Sequence, residues 1–564
     1  MAPIIAQLLS GLERVLSATP GALAVSAGYL GVVFHALFVR RLFVEEYLYP
    51  FLGGYALAAG SLVSICLSFF NVRDALLKAS VITTAFTAGL YFSMSIYRLF
   101  LHRLRKFPGP WGAKLSRFYV TAASAKKVMY HKEIKQWHEK YGDFIRTGPR
   151  ELAIVRKSAV QQIYGPASEC VKSSWYTQVS SDHTKISIHM TRDWNDHKQR
   201  RKAWDRGFSV KAMNTYEPRI ASKVELLLDQ IKSHIASSKP LDATMWSNLL
   251  TFDIMGEVGF GKDFKGLETG IEHPAIKGIH DHMTALGILA TVPWFLNLLA
   301  RIPGASAGYA PFFSWCHNEV RVKQMKYESE KYPQDIISWL IKAYNEKDVS
   351  AAPSEIALHE DSRAVIIAGS DTTASTLAEV LFFFSKYPAV QKKLQAKLDA
   401  AMPHREWSYE KAKSVGYVED IIQETLRLKP ALLTGGYRTT PANGIFVDGV
   451  HIPGNTNVFV PMQLMQTDPR YHPQADEFIP ERFGERRVEW KTDQQPWYPF
   501  SIGPYSCPGK VLAMVTLRMA ISQISLHYDV SFAPGEDGEK FDSEALDTFT
   551  TTLPPLMVQF TPRR

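Results

Sequence analysis

Three stretches near the start of the chain, Pro20 to Val39, Tyr47 to Phe70 and Ala79 to Tyr97, contain no Lys, Arg, Asp or Glu. As helices at about 1.5 Å per residue they reach roughly 28 to 36 Å, the thickness of a bilayer core. Charge falls in the joins, which separates three membrane spans from a run of buried core helices. No short apolar run ends at a small-residue cleavage site, so a removable leader is not the reading. The basic residues set the orientation. With three spans, Arg98, Arg103, Arg105 and Lys106 share a side with Arg40 and Arg41, and Arg14, Arg73 and Lys78 lie opposite. The positive-inside bias then puts the remainder of the chain in the cytosol. Residues 1–106 are thus expected to be an anchor and 107–113, Phe-Pro-Gly-Pro-Trp-Gly-Ala, a Pro/Gly hinge. Residues 114–564 form the globular part.

That part is long enough, in a chain of 564 residues with 46% apolar side chains, to bury a large core. Four cysteines cannot staple it. A net charge of +9 is a shallow excess that fits a membrane surface or an acidic protein, and no nucleic-acid partner is expected. Helical periodicity dominates over Ile220–Ile235, Asp361–Tyr387, Val390–Met402, Val418–Leu428 and Val511–His527. Strand signals gather at Phe144–Val155, read as two strands, and at Gly444–Val460, read as one small sheet turning at Asp448-Gly449 and Pro453-Gly454. The expected class is mainly α (α+β), a helical domain with a small β-rich lobe.

Cys66, Cys170 and Cys316 have no partner at metal-ligand spacing and read as small buried side chains. Cys507 differs. It lies in Phe500-Ser501-Ile502-Gly503-Pro504-Tyr505-Ser506-Cys507-Pro508-Gly509, directly before an apolar helix. A proline just inside that helix would leave Cys507 in the cap region, where free backbone N–H groups and the positive dipole end favour a thiolate. The helix is apolar nearly all round, so the site is dry and the anion needs a metal. With no second Cys or His at zinc spacing, a macrocyclic iron cofactor taking one axial sulfur fits best.

Phe500, Gly503, Cys507 and Gly509 resemble the haem-binding loop F-x-x-G-x-x-x-C-x-G of the cytochrome P450 family. The resemblance covers residues 105 to 562 or so and implies that fold, with haem b on Cys507. Glu424 and Arg427, three apart on one helical face, and Arg482 of Pro480-Glu481-Arg482-Phe483 then correspond to a buried structural triad. In Ala368-Gly369-Ser370-Asp371-Thr372-Thr373, threonine hydroxyls can bond carbonyls one turn back and Gly369 leaves room for a small ligand. The resemblance makes Thr372 the residue that holds a water at the oxygen site and Asp371 the acid that relays protons to it. His197 and Arg201, four apart on one helical face, and Arg438 are the expected partners of the haem propionates. Two positions depart from the pattern. Tyr505 stands where Arg or His is usual, and Ser501 where Gly is common.

The implied activity is insertion of one oxygen atom of O2 into an unactivated bond of a lipophilic small molecule, with NADPH-derived electrons. No Gly-rich dinucleotide fingerprint is present in the sequence, so the electrons come from another protein. The resemblance implies NADPH-cytochrome P450 reductase, with cytochrome b5 as a second donor, and a multi-pass place in the endoplasmic reticulum membrane in contact with its lipid. Val171–Met190, Ala285–Leu299, Ile366–Gly369 and Leu432–Tyr437 correspond to pocket and access regions, and Ala285–Leu299 is apolar enough to dip into lipid. The triple-span anchor and the Ser-Ile-Gly-Pro-Tyr loop resemble fungal members that act on alkaloids, terpenoids or polyketides. A haem-thiolate isomerase or dehydratase would share Cys507 but dispense with the acid–alcohol pair. A haem sensor or membrane carrier would bind without turnover.

Overall fold

The computed structural model describes residues 10–177, 180, 182–299, 301–302, 304, 310–327 and 332–563. Within the expected pocket region Val171–Met190, Gln178, Val179 and Ser181 lie outside the described residues. Two compact units emerge, one comprising the chain to Arg117 with Arg146–Arg150, the other Phe118–Ile145 with Glu151 onward. The expected hinge, 107–113, lies inside the first.

In the first unit three helices follow one another, α1 (Pro20–Leu37), α2 (Leu48–Phe69) and α3 (Val72–Ile96). Each is long and apolar enough to cross a membrane. α3 starts at Val72 rather than Ala79 because Asn71 caps it, its side chain accepting the Asp74 N–H at 3.0 Å. Arg73, Asp74 and Lys78 therefore sit in its first turns, and Lys78 donates to the Leu16 carbonyl at 2.7 Å. α1 and α3 touch backbone to backbone. A Cβ on Gly89 would fall 2.0 Å from the Gly28 carbonyl oxygen, so only glycine permits the approach. Val25, Leu57, Leu76 and Phe92 face outward, which suits a membrane anchor.

The second unit is mostly helical. Its elements used below are α4 (Trp194–Gly207), α5 (Val210–Ala236), α6 (Ala243–Met255), α7 (Pro274–His280), α8 (Glu355–Lys386), α9 (Pro388–Ala401), α10 (Gly416–Leu428) and α11 (Lys510–His527). The five helical periods of the sequence fall on α5, α8, α9, α10 and α11. α8 begins six residues before the period does, at the cap where Ser354 accepts the Ala357 N–H at 3.1 Å. It too is long and apolar enough for a span, yet it is largely buried and runs through the core.

Strands β1 (Phe144–Gly148), β2 (Glu151–Ile154), β3 (Val171–Lys172), β4 (Arg438–Thr439), β5 (Ile445–Val447), β6 (Val450–Ile452) and β7 (Asn457–Phe459) make the lobe. The single sheet expected over Gly444–Val460 is instead two. β5 and β6 form a hairpin whose turn, Asp448 and Gly449, has φ of 48° and 77°, the mirror-image turn that matches strand twist. β7 leaves it to pair in parallel with β2 and antiparallel with β4, and β3 pairs antiparallel with β4. This second sheet supplies one side of the site.

Candidate active site

The loop before α11 is fixed by backbone constraints. Gly503 has φ +68°, and a Cβ there would lie 2.4 Å from the Tyr164 carbonyl oxygen. Cys507 N–H donates to the Phe500 carbonyl at 2.9 Å and closes the loop. The helix starts at Lys510 with Gly509 as its cap, two residues later than expected, so Pro508 is not in its first turn. The N–H groups of Gly509 and Lys510 nevertheless reach the Cys507 sulfur. Burial outweighs them, together with Arg201 and Lys510, and holds the thiol above its ordinary range. Burial thus offsets the bias toward thiolate that the loop N–H groups supply, and a bound metal cation would add to that bias. Cys507 keeps accessible surface although protein surrounds it, because its free face lines an internal cavity.

Ser501 adopts φ +55°, where a Cβ is strained and the glycine common at this position is not. Ser501→Gly is expected to raise stability by up to about 1 kcal/mol. Thermal unfolding checks this, and an unchanged or lower midpoint would contradict it.

The cavity encloses about 540 Å³ and is mostly apolar, with Cys507, Phe500, Gly369 and Thr372 in its wall and Ile279 and Met283 among the side chains that cover it. α8 passes Thr372 along the wall, its hydroxyl donating to the Ala368 carbonyl at 2.7 Å. The hydroxyls of Ser370 and Thr376 make the same back-bond, and the helix stays continuous through them. Gly369 lines the cavity and also makes room for a neighbour: a Cβ there would lie 2.4 Å from the sulfur of the Met255 side chain. Asp371 lies beside Thr372 but on another face of the helix. Neighbouring residues on a helix point about 100° apart, and with Thr372 on the cavity Asp371 turns away to His280, Oδ1 to Nε2 3.4 Å. His280 also meets Glu272 at 2.5 Å. Burial would lower the imidazolium, but bonds to Asp371 and Glu272 push it up to about 10.

A cationic cluster borders the same cavity. His197 on α4 is buried, and burial followed by Lys172, Arg201, Arg200 and Arg438 pushes it down to about 2. Arg201 donates to Asp205 at 2.7 Å and to the Ser506 carbonyl at 2.6 Å. Arg438 is buried and donates to the Tyr437 carbonyl at 3.0 Å, while its Nε has no partner among the described residues. Tyr505 packs at a tilt against His197, with 4.5 Å between ring centroids, and its hydroxyl lies near the Lys172 backbone. Burial pushes that hydroxyl up to about 12. Sequence reasoning missed Lys172, which is buried and donates to the Ile188 and His189 carbonyls at 2.8 and 2.7 Å. So many donors with one carboxylate partner among Arg201, Arg438 and Lys172 fit a dianionic cofactor such as haem b, whose propionates these residues would hold and whose iron Cys507 would bind.

Glu424, Arg427 and Arg482 come together with side chains 0% exposed. Arg427 grips the carboxylate through Nε and a terminal nitrogen at 2.7 and 2.9 Å, and Arg482 approaches it at 3.1 Å. Main-chain carbonyls of Gln466, Ala475 and Glu477 take the remaining Arg427 donors.

The family described as "Cytochrome P450" matches residues 110–560. The chain belongs to the cytochrome P450 family. A cytochrome P450 monooxygenase of Eupenicillium brefeldianum is 40% identical over 475 residues, 84% of this chain and 94% of that protein. Tryprostatin B 6-hydroxylase of Aspergillus fumigatus is 30% identical over 554 residues, 95% of this chain and 96% of that protein. A crystal structure of another cytochrome P450 superposes with TM-score 0.64 at 20% identity, covering 77% of this chain and 94% of that one, and shows the shared fold. This cytochrome P450 is therefore a haem-thiolate monooxygenase that uses haem b, O2 and NADPH-derived electrons, and it takes a small molecule and a redox partner.

Proposed function

We propose that this cytochrome P450 hydroxylates a lipophilic alkaloid, terpenoid or polyketide of fungal secondary metabolism, with epoxidation and multistep oxidation within reach of the same site. What supports this is one cavity that joins the Cys507 sulfur to the Thr372 hydroxyl behind mostly apolar walls. Among relatives, one is named for hydroxylating tryprostatin B. Cys507 would hold the iron, and Arg201, Arg438 and His197 would hold the propionates. When bound, the haem supplies the oxygen chemistry. Thr372 positions a proton at the cavity wall, and Asp371 reaches that wall only by leaving His280. The apolar walls exclude water from the reacting carbon.

The three apolar helices act as a multi-pass anchor in the endoplasmic reticulum membrane. The catalytic unit lies on the cytosolic side, where NADPH-cytochrome P450 reductase and cytochrome b5 deliver electrons. The test incubates the purified chain with reductase, NADPH and candidate lipophiles under air and under nitrogen. Product formed in air and lost under nitrogen is expected. Equal product under both gases would favour the isomerase or dehydratase reading, and none in either the carrier or sensor.

A further inference from the structure

Lysine and arginine side chains border the cavity at four positions, and no carboxylate does so among the described residues. Lys172, Arg201 and Arg438 gather at the cysteine loop, two of them over the Tyr505 ring and the third on the Ser506 carbonyl. Arg363 stands apart. It lies nine residues before Thr372 on the continuous helix α8, which is roughly 14 Å along the axis. Its guanidinium packs over the Phe313 ring, 4.9 Å from the centroid, and Phe313 lines the same cavity. Glu360, one turn earlier, takes the Arg363 Nε at 3.0 Å and one terminal nitrogen at 2.8 Å on a single oxygen. The other Glu360 oxygen meets His317 Nε2 at 3.1 Å. The charge of Arg363 is therefore matched, but its remaining terminal nitrogen has no hydrogen-bond partner among the described residues. Donors left over at an apolar wall are costly until an acceptor reaches them. A carboxylate brought there would also meet the Glu360 charge, whereas a carbonyl oxygen takes the spare N–H groups without repulsion.

We propose that Arg363 determines substrate specificity, and that the substrate is an elongated lipophile with a ketone or amide carbonyl at the end remote from the carbon to be oxidised. The carbonyl oxygen accepts from the free terminal nitrogen of Arg363, and the other end of the molecule lies toward Thr372 and Cys507, about 14 Å away along α8. The influence of Arg363 extends into the cavity: burial, then Lys172 and Arg363, push the wall residue His189 down to about 3. This inference rests on the proposed monooxygenase function and narrows its substrate class.

The experiment titrates the full-length holoprotein with 2-tetradecanone, tetradecane and myristate, each in the same carrier, and reads the haem absorbance shift on ligand entry. Comparing variant with parent for one probe at a time cancels the probe's own solubility. Arg363→Met removes the donors. Because that variant leaves the buried Glu360 with only His317, Arg363→Met combined with Glu360→Gln is made as well, which removes both charges together. In each, the Kd for 2-tetradecanone is expected to rise about tenfold over the parent while that for tetradecane stays within about twofold. Arg363→Lys keeps a charged donor and is expected to lose no more than about threefold for the ketone. Equal changes for ketone and alkane in the double variant would overturn the inference. So would a parent that binds myristate at least about tenfold more tightly than the ketone, or a haem-loaded parent that binds none of the three probes. A parent that takes up no haem overturns the underlying reading instead, so the two failures are distinct.

Discussion

Glu424→Ala is expected to destabilise the second unit by about 3 to 5 kcal/mol, because it strands two guanidinium groups in a place water does not reach. The Glu424 carboxylate meets Arg427 at 2.7 Å and Arg482 at 3.1 Å with all three side chains 0% exposed. It also accepts the Ile479 N–H at 3.0 Å, which ties α10 to the segment leading into Pro480–Arg482. Arg427 retains its carbonyl partners in the variant, but Arg482 keeps only the Gln474 carbonyl at 3.1 Å and already has one terminal nitrogen without a partner among the described residues. A domain is stable by roughly 5 to 15 kcal/mol, so this loss removes a large share and should be visible as low holoprotein yield. Equilibrium denaturant unfolding of the two proteins measures it. A difference under about 1 kcal/mol would mean the network contributes little to stability.

Cys507→Ala is expected to bring O2-dependent turnover to background. No cluster of three or more His, Cys, Asp or Glu placed to hold a metal ion is present among the described residues. Cys170 and Cys316 are buried elsewhere, their thiols raised by burial, and neither lines the cavity. Removing the sulfur leaves the cationic cluster intact, so some haem can remain attached through its propionates without the axial ligand. Turnover and haem content should therefore part company, with activity lost more completely than colour. A variant that keeps more than about a tenth of the parental rate would contradict the assignment of the ligand.

How much of this the chain reveals before folding depends on the range of the constraint. The loop from Phe500 to Gly509 is legible because its requirements are local. Gly503 must tolerate φ +68° beside the Tyr164 carbonyl, and the glycine stands plainly in the sequence. The spacing of Glu424 and Arg427 is equally local, whereas the carbonyls that complete the Arg427 bonding come from the segment around Gln466–Glu477. Lys172 was invisible because its meaning lies in strand register. A lone Lys in Cys-Val-Lys-Ser-Ser says nothing until β3 lies against β4 and the residue opposite is Arg438. The acid next to Thr372 shows the opposite case. The two neighbours stand together in sequence, but that Asp371 also meets His280 on α7 follows only from the fold. Counting uncharged residues found the third apolar helix but misplaced its start, since Asn71 caps a helix whose first turns carry charge. The two sheets between Gly444 and Val460 were merged for a similar reason: alternation marks strands, and only long-range pairing says which sheet each joins.

The reduced carbon monoxide difference spectrum of the purified full-length chain tests the central claim most directly, because the band position reports the atom opposite the gas. Thiolate from Cys507 requires the red-shifted band of a sulfur-ligated haem. A spectrum of nitrogen-ligated haem in freshly prepared protein, or no haem spectrum after growth with added haemin, would contradict it.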